Sequence, residues 1–287
     1  MSYSGGSPQK RVIHGRGFTL SPKRVPHVMG ILNVTPDSFS DGGRHFVMAD
    51  AVRHATQMAR DGAEIIDIGG ESSRPGSDGI GVEEELGRVL PVIKSLAGRL
   101  NVPLSIDTRR AEVARAAVEA GCGMINDITA CRDPDMARVI GEFGVSVVLM
   151  HMKGAPKSMQ VKPTYQDVVR EVRAFLEERV LFLKHQGIED DRIIIDPGIG
   201  FGKRFRDNLD ILSELQLLQD LGYPVLVGAS RKAFLGELLD AAPGDRLSGS
   251  LAVAAWSHRL GADIIRVHDV KETVDLLRVL DALEYPR

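Results

Sequence analysis

The sequence predicts an α/β protein, a (β/α)8 TIM barrel in a single domain, and three observations carry that prediction: eight short apolar runs, a helical period between successive runs, and a turn residue at each return. The runs are His27–Val34, Glu64–Gly69, Pro103–Asp107, Met124–Ile128, Ser146–His151, Ile193–Asp196, Pro224–Gly228 and Ile264–His268. Between them apolar residues recur at helical spacing, as in Val168, Val172, Phe175/Leu176 and Leu183, or Leu209, Leu212, Leu215 and Leu218. Each helix-to-strand return carries a residue that tolerates the left-handed conformation: Gly62, Asn101, Gly121, Gly144, Gly187, Gly222 and Gly261. At helix starts, Asp133-Pro134 supplies a cap and a first-turn proline, and Glu83, Glu84 and Glu85 place negative charge where the helix dipole favours it. Equivalent units joined by right-handed crossovers close into a barrel. A doubly wound open sheet is the alternative, and the absence of a nucleotide fingerprint weighs against it.

Ahead of the barrel, residues 1–10 are Ser/Gly/Pro/Gln-rich and predicted to be disordered, leaving 11–287 as the folded unit. Arg11 to Leu20 alternates around Gly15 and Gly17, which predicts a short N-terminal hairpin covering one end of the fold.

Composition excludes several function classes. With 36 Lys+Arg against 39 Asp+Glu, a net charge of −3 and no basic block, a nucleic-acid surface is not expected. Cys122 and Cys131 are too few for a disulfide framework and lack metal-ligand spacing, which fits a reducing compartment. No apolar run approaches the ~18 residues of a membrane span and the amino terminus lacks a signal-peptide core, so a soluble, cytoplasmic protein is expected.

The most informative stretch is Arg192 to Lys203. Ile193-Ile194-Ile195 reads as a strand buried on both faces, ended by Pro197 and three alternating glycines, with Asp196 at its carboxyl end. Backbone able to approach a ligand closely, the Phe201 ring and the Lys203 cation suit a flat ligand with a polar edge. A tight loop whose aspartate merely caps the next helix is the plainer alternative.

In a TIM barrel the active site lies at the carboxyl ends of the strands. Those ends are polar throughout: Asn33; Asp67 and Glu71; Asp107; Asn126 and Asp127; His151; Asp196; Ser230, Arg231 and Lys232; Arg266, His268 and Asp269. Asp107, Asn126, Asp196 and Lys232 combine acceptors and donors able to read the edge of a fused heterocycle. Arg266, His268 and Asn33 suit a phosphate or diphosphate, with Asn33 a neutral oxygen ligand for a hard cation such as Mg²⁺. The long polar loops Thr35–Gly43 and Glu71–Gly79 have the composition of lids that order over a substrate.

These residues resemble the dihydropteroate synthase family, the pterin-binding barrels of folate synthesis. The motifs MGILNVTPDSFSDGG, DIGGESSRPG, SIDT, IND, the run from His151 to Gln160, DPGIGFGK, GASRK and RVHDV follow in family order from His27 to Val270. The resemblance implies condensation of 7,8-dihydropterin-6-ylmethyl diphosphate with p-aminobenzoate by a dissociative route. It further implies a pterin site at Asp107, Asn126, Asp196 and Lys232, a diphosphate site at Asn33, Arg266 and His268, and Mg²⁺ on Asn33 and Asp37. Ser72, Ser73, Arg74, Phe39, Phe201 and Ser230 would form the p-aminobenzoate pocket, and Asp37, Phe39, Lys232, Arg266 and His268 the catalytic set. Ser73 stands where the family commonly has Thr, and Ile199 where it often has Phe, which bears on the sulfonamide-binding details. No pyrophosphokinase or aldolase motif accompanies the barrel, so a monofunctional enzyme is expected. The family also implies a homodimer through the carboxyl-terminal helices, where the predicted seventh helix, Leu247 to Leu260, carries Trp256. The alternatives are a pterin-dependent methyltransferase, which leaves the Arg231/Lys232 and Arg266/His268 clusters unexplained, and a non-catalytic pterin-binding paralogue.

Overall fold

Eight parallel strands arranged in a ring, preceded by a two-stranded hairpin, make up the sheets of the computed structural model. It describes residues 11–35, 44–73 and 76–286. The expectation for residues 1–10 lies outside them. The hairpin is β1 (Ile13–Gly15) and β2 (Phe18–Leu20), antiparallel, with Ile13 opposite Leu20. The ring comprises β3 (His27–Asn33), β4 (Ile65–Gly69), β5 (Leu104–Asp107), β6 (Met124–Asp127), β7 (Ser146–Met150), β8 (Ile193–Asp196), β9 (Leu226–Val227) and β10 (Ile264–Val267). Their spatial order is β8-β7-β6-β5-β4-β3-β10-β9, and a parallel bridge between Ile195 and Val225 joins the two ends.

The helices that follow the strands are α1 (Arg44–Arg60), α2 (Val82–Leu96), α3 (Ala111–Glu119), α4 (Met136–Phe143), α5 (Val168–His185), α6 (Phe205–Ser213), α7 (Gln216–Gln219), α8 (Ala233–Leu239), α9 (Leu247–Arg259) and α10 (Val270–Glu284). None among the described residues is long and apolar enough to cross a membrane. Six of the seven predicted left-handed returns are glycines with positive φ. The exception is Asn101: α2 stops at Leu96, so the left-handed turn falls three residues earlier, on Gly98 at φ +73°. Asp133 serves two helices: its Oδ2 accepts from the Ala111 amide at 2.8 Å at the start of α3 in the neighbouring unit, and its Oδ1 accepts from the Asp135 amide at 3.1 Å at the turn that leads into α4. The three glutamates do occupy the first turn of α2.

Side chains alternate in and out along each strand, and this sorts the core into two regions. Outward residues such as Leu32, Ile66, Ile106, Ile125, Val147 and Ile195 pack against the helices. Inward residues Met29, Ile65, Met124, Val148, Ile194, Leu226 and Ile264 fill the barrel near its amino-terminal end. Ile13 and Leu20 of the hairpin, with Phe18 beside them, join this second cluster and cover that end as the sequence predicts. The Arg16 amide donates to the Gly123 carbonyl at 3.2 Å, which fixes the hairpin against the start of β6.

Ile13 is 2% exposed in this plug. Ile13→Ala leaves a cavity under the barrel floor and is expected to cost about 2–5 kcal/mol, measured by urea unfolding.

Candidate functional site

Two residues above the apolar floor, the same inward positions become polar. Ile65 is followed by Asp67, Met124 by Asn126, Ile194 by Asp196 and Ile264 by Arg266, while Val148 is followed by Met150 and Leu226 by Gly228. Asp107 projects inward from the end of β5 by the same alternation. Asp107, Asn126, Met150, Asp196, Gly228 and Arg266 line one cleft with Ser73, Ile128, Gly198, Ile199, Phe201 and Lys232, and the free space among them, solvent at the mouth included, is about 310 Å³. The predicted heterocycle-reading set therefore meets in one place, and Ser73 and Phe201 lie at the same cleft.

Arg266 is the hub of this layer. Its Nε donates to Asp67 Oδ2 and its Nη2 to Asp107 Oδ2, each at 2.7 Å. Asn126 Nδ2 donates to the same Asp67 oxygen at 2.9 Å. That leaves Asp67 Oδ1 and Asn126 Oδ1 buried without a partner among the described residues. Asp196 accepts the Gly198 amide on Oδ1 at 2.7 Å. Burial pushes the Asp107 carboxyl up to about 7 against the opposing pull of Arg266, and burial pushes Asp196 up to about 6 against Gly198 and Lys232. The Lys232 ammonium stands 4.0 Å from the centre of the Phe201 ring, a cation–π contact at the mouth of the cleft.

His268, two residues beyond Arg266, pairs with Ser230. The Ser230 hydroxyl accepts the His268 amide at 3.2 Å and lies 3.0 Å from its Nδ1. With the Ser230 proton directed at Nδ1, the ring would carry its own proton on Nε2. Burial, and then Arg266, pushes the imidazole down to about 3, so it is a neutral donor at physiological pH. Asn33 ends β3 half-buried, opposite Gly69 of β4. Asp37, Phe39 and Arg74 lie outside the described residues, as does most of the Thr35–Gly43 loop.

Several polar strand-end residues do not face the cleft. Asp127 turns outward beside Asn126 and binds the amide and hydroxyl of Thr129, each at 2.7 Å, and the Cys131 amide at 2.8 Å. Glu71 is taken by Arg109 and Arg110, whose guanidinium also reaches the Ile80 carbonyl and the buried Glu85. Arg231 pairs with Asp269. Lys203 was expected to offer its charge to the ligand but is 3% exposed and donates to backbone carbonyls behind the loop. His151 sits beside it, buried. Conversely, Asp67 belongs to the inward layer although charge sorting left it out of the heterocycle set. The signal that finds it is its place two residues after an inward apolar one.

Residues 29–268 match the family model described as pterin binding enzyme. Dihydropteroate synthase of Escherichia coli K12 is 49% identical over 257 residues, covering 90% of this chain and 91% of that protein. The chain belongs to the dihydropteroate synthase family of pterin binding enzymes. Dihydropteroate synthase of Bacillus subtilis is 45% identical across 96% of this chain and 94% of its own length. Among solved structures, Xanthomonas albilineans dihydropteroate synthase with 4-aminobenzoic acid superposes with a TM-score of 0.91 at 47% identity, covering 98% of this chain and all of that one. The same enzyme in complex with 7,8-dihydropteroate superposes at 0.87, with 45% identity over 96% of this chain and all of that one.

For a family that binds pterins, the titration of Asp196 has a readable consequence. The folded carboxyl is raised, so its favourable contribution to stability is present below the unfolded value and is lost as pH rises through about 6. A ligand N–H prefers the ionised acid, so binding runs the other way. Pterin affinity, measured by calorimetry, is expected to rise between pH 5 and 7, and Asp196→Asn to weaken it by about tenfold or more and flatten that profile.

Proposed function

We propose that this chain condenses 7,8-dihydropterin-6-ylmethyl diphosphate with p-aminobenzoate, giving 7,8-dihydropteroate and diphosphate for folate biosynthesis. The observation that carries this reading is the pair of buried, unpartnered acceptors, Asp67 Oδ1 and Asn126 Oδ1, in the layer that also holds Asp107 and Asp196. Buried acceptors without donors are costly, and the amino and ring N–H groups of a pterin are donors of that kind. Asp107, Asn126, Asp196 and Lys232 would hold the ring, joined by Asp67. The 4-aminobenzoic acid and 7,8-dihydropteroate complexes of the Xanthomonas relative support the same pair of substrates.

Little is asked of the protein beyond holding the ring, receiving the departing charge and excluding water. The methylene carbon–oxygen bond breaks and its electron pair leaves with the diphosphate, while the electron-rich dihydropterin stabilises the cation. The neutral arylamine then attacks that carbon and releases a proton. Asn33, Arg266 and His268 would receive the diphosphate, His268 through its Nε2–H. Arg266 is held by Asp67 and Asp107 in the free protein. Ser72, Ser73, Arg74, Phe39, Phe201 and Ser230 would surround the arylamine, although the Ser230 hydroxyl is already engaged with His268.

Magnesium enters on narrower grounds. Among the described residues no group of three or more His, Cys, Asp or Glu is placed to hold a metal ion. Asn33, the described member of the implied pair, offers one neutral oxygen at the carboxyl end of β3. Mg²⁺ commonly takes one or two protein oxygens and completes its shell with water and substrate phosphate, so Asn33 and Asp37 would suffice only with the diphosphate present. Bound there, it would offset the leaving group's charge. We place the reaction in the cytoplasm, where the buried free Cys122 and Cys131 would stay reduced.

Diphosphate release is expected when the protein is given both substrates with Mg²⁺, to fall when p-aminobenzoate is withheld, and to fall on chelation. Release at the same rate without the arylamine would overturn the condensation.

A second copy of the chain is the expected partner. Of the large apolar residues exposed among the described ones, Leu238, Leu239, Trp256, Val279, Leu283 and Tyr285 belong to α8, α9, α10 or the residue just after it. Clustering of exposed apolar side chains in one part of the chain marks an interaction face. Light scattering is expected to give twice the chain mass, and Leu283→Glu with Leu238→Glu to halve it.

A further inference from the structure

Behind the β8–α6 loop lies a buried cation with no part in the condensation outlined above. Lys203 Nζ is 2.9 Å from the Gly198 carbonyl, 3.1 Å from that of Phe201, 2.9 Å from His151 Nδ1 and 3.4 Å from the His151 carbonyl. Left-handed conformations at Gly198, Gly200 and Gly202 curl the loop around the ammonium. A Cβ on Gly198 would overlap the His151 carbonyl, and one on Gly202 the Lys153 carbonyl, so the loop is pressed directly onto the end of β7. Burial pushes the Lys203 ammonium down to about 7. Burial, and then the charge of Lys203, pushes the His151 imidazole down to about 2, so the ring is neutral and Nδ1 is open to accept.

The other side of the same loop is the cleft wall. Asp196, Ile199 and Phe201 line the cleft, and Phe201 carries the Lys232 contact. The loop has few other ties: Gln160 Nε2 donates to the Gly200 carbonyl at 2.7 Å, the Gly200 amide to Asn208 at 2.7 Å, and the Tyr165 hydroxyl to the Gly202 carbonyl at 2.6 Å. Lys203 gathers acceptors from both ends of the loop and from His151, the residue just past β7.

We propose that Lys203 is a positioning residue for both substrates: by drawing the Gly198 and Phe201 carbonyls and His151 onto one ammonium, it fixes Asp196 for the pterin and the Phe201 ring for the arylamine. The assignment of the two halves rests on the condensation proposed above. An uncharged side chain of the same length leaves several buried acceptors without donors. Arginine, planar and longer, does not fit a compact cage built for an ammonium.

The experiment compares the parent with Lys203→Met and Lys203→Arg in three measurements: affinity for 6-hydroxymethylpterin by calorimetry, KM for p-aminobenzoate by diphosphate release, and melting temperature. Both variants are expected to lose about tenfold or more in pterin affinity and to raise the p-aminobenzoate KM by a similar factor. Folded variants with a lowered melting temperature but both constants within twofold of the parent would overturn the proposal, because that is what a merely structural lysine gives. If neither variant folds, His151→Leu, which removes one acceptor and leaves the carbonyls, is expected to shift both constants about threefold in the same direction; no shift would overturn the proposal. A parent that binds the pterin but releases no diphosphate would refute the condensation instead, and the pterin affinities would still decide the role of Lys203.

Discussion

Alternation in a closed ring of parallel strands is the constraint from which the site follows. Each strand can present only every second side chain to the interior, and the interior of an eight-stranded barrel is just wide enough to be filled by them. Here the lower inward positions are apolar and covered from below by Ile13 and Leu20. The next inward positions are Asp67, Asn126, Asp196 and Arg266; the last three line the cleft, and Asp67 lies buried against Arg266 and Asn126. The crater is thus one layer of a stack, set on a packed floor.

Stacking acids on hydrocarbon is electrostatically unfavourable, and the arrangement of Arg266 shows how the cost is contained. Asp67, Asp107 and Asp196 share a space with little water, where like charges repel strongly. One guanidinium placed between Asp67 and Asp107 binds both and keeps their remaining oxygens oriented. Asp196, outside that fork, relies on the Gly198 amide and the charge of Lys232. Asp107 and Asp196 stay hard to ionise, and acceptors on Asp67 and Asn126 stay unpartnered. Among the described residues those acceptors have no donor, and a ligand rich in N–H groups would supply one.

Much of this was legible in the sequence, for physical reasons. Strands surface as β-branched runs and returns as glycines because backbone sterics impose both locally, so all eight strands and the covering hairpin were readable. What sequence reading missed depends on parity. Asn126 and Asp127 are adjacent and equally polar, yet one faces the cleft and the other holds its own loop through Thr129 and Cys131. Lys203 carries the right charge in the right motif, but whether it faces the ligand or the loop's interior is decided by three left-handed glycines acting together. Asp133 follows the rule that aspartate caps helices and caps more than local sequence shows, because its second oxygen also meets the Ala111 amide of a neighbour in space. Asp67 was visible as a strand-end acid, and counting from Ile65 places it inward.

The residues that turned away from the cleft share a pattern that bears on the chemistry. Behind Asn126 stands Asp127; behind Asp196 and Phe201, Lys203; beside Ser230 and Lys232, Arg231 with Asp269; and next to Ser72 and Ser73, Glu71 with Arg109 and Arg110. Asn126, Asp196, Phe201, Lys232 and Ser73 of the cleft thus each have nearby a charged residue that hydrogen-bonds its loop or a neighbouring element. A reaction that passes through a cation needs donors and acceptors already in place, because reorienting them during the step would return the barrier they are meant to lower. Short loops at strand ends are too small to hold such positions by hydrophobic packing alone, since they bury little apolar surface. Ionic and backbone-directed hydrogen bonds hold them here: Glu71, Asp127, Arg231 and Asp269 are engaged by their own loops or by neighbouring elements instead of the cleft.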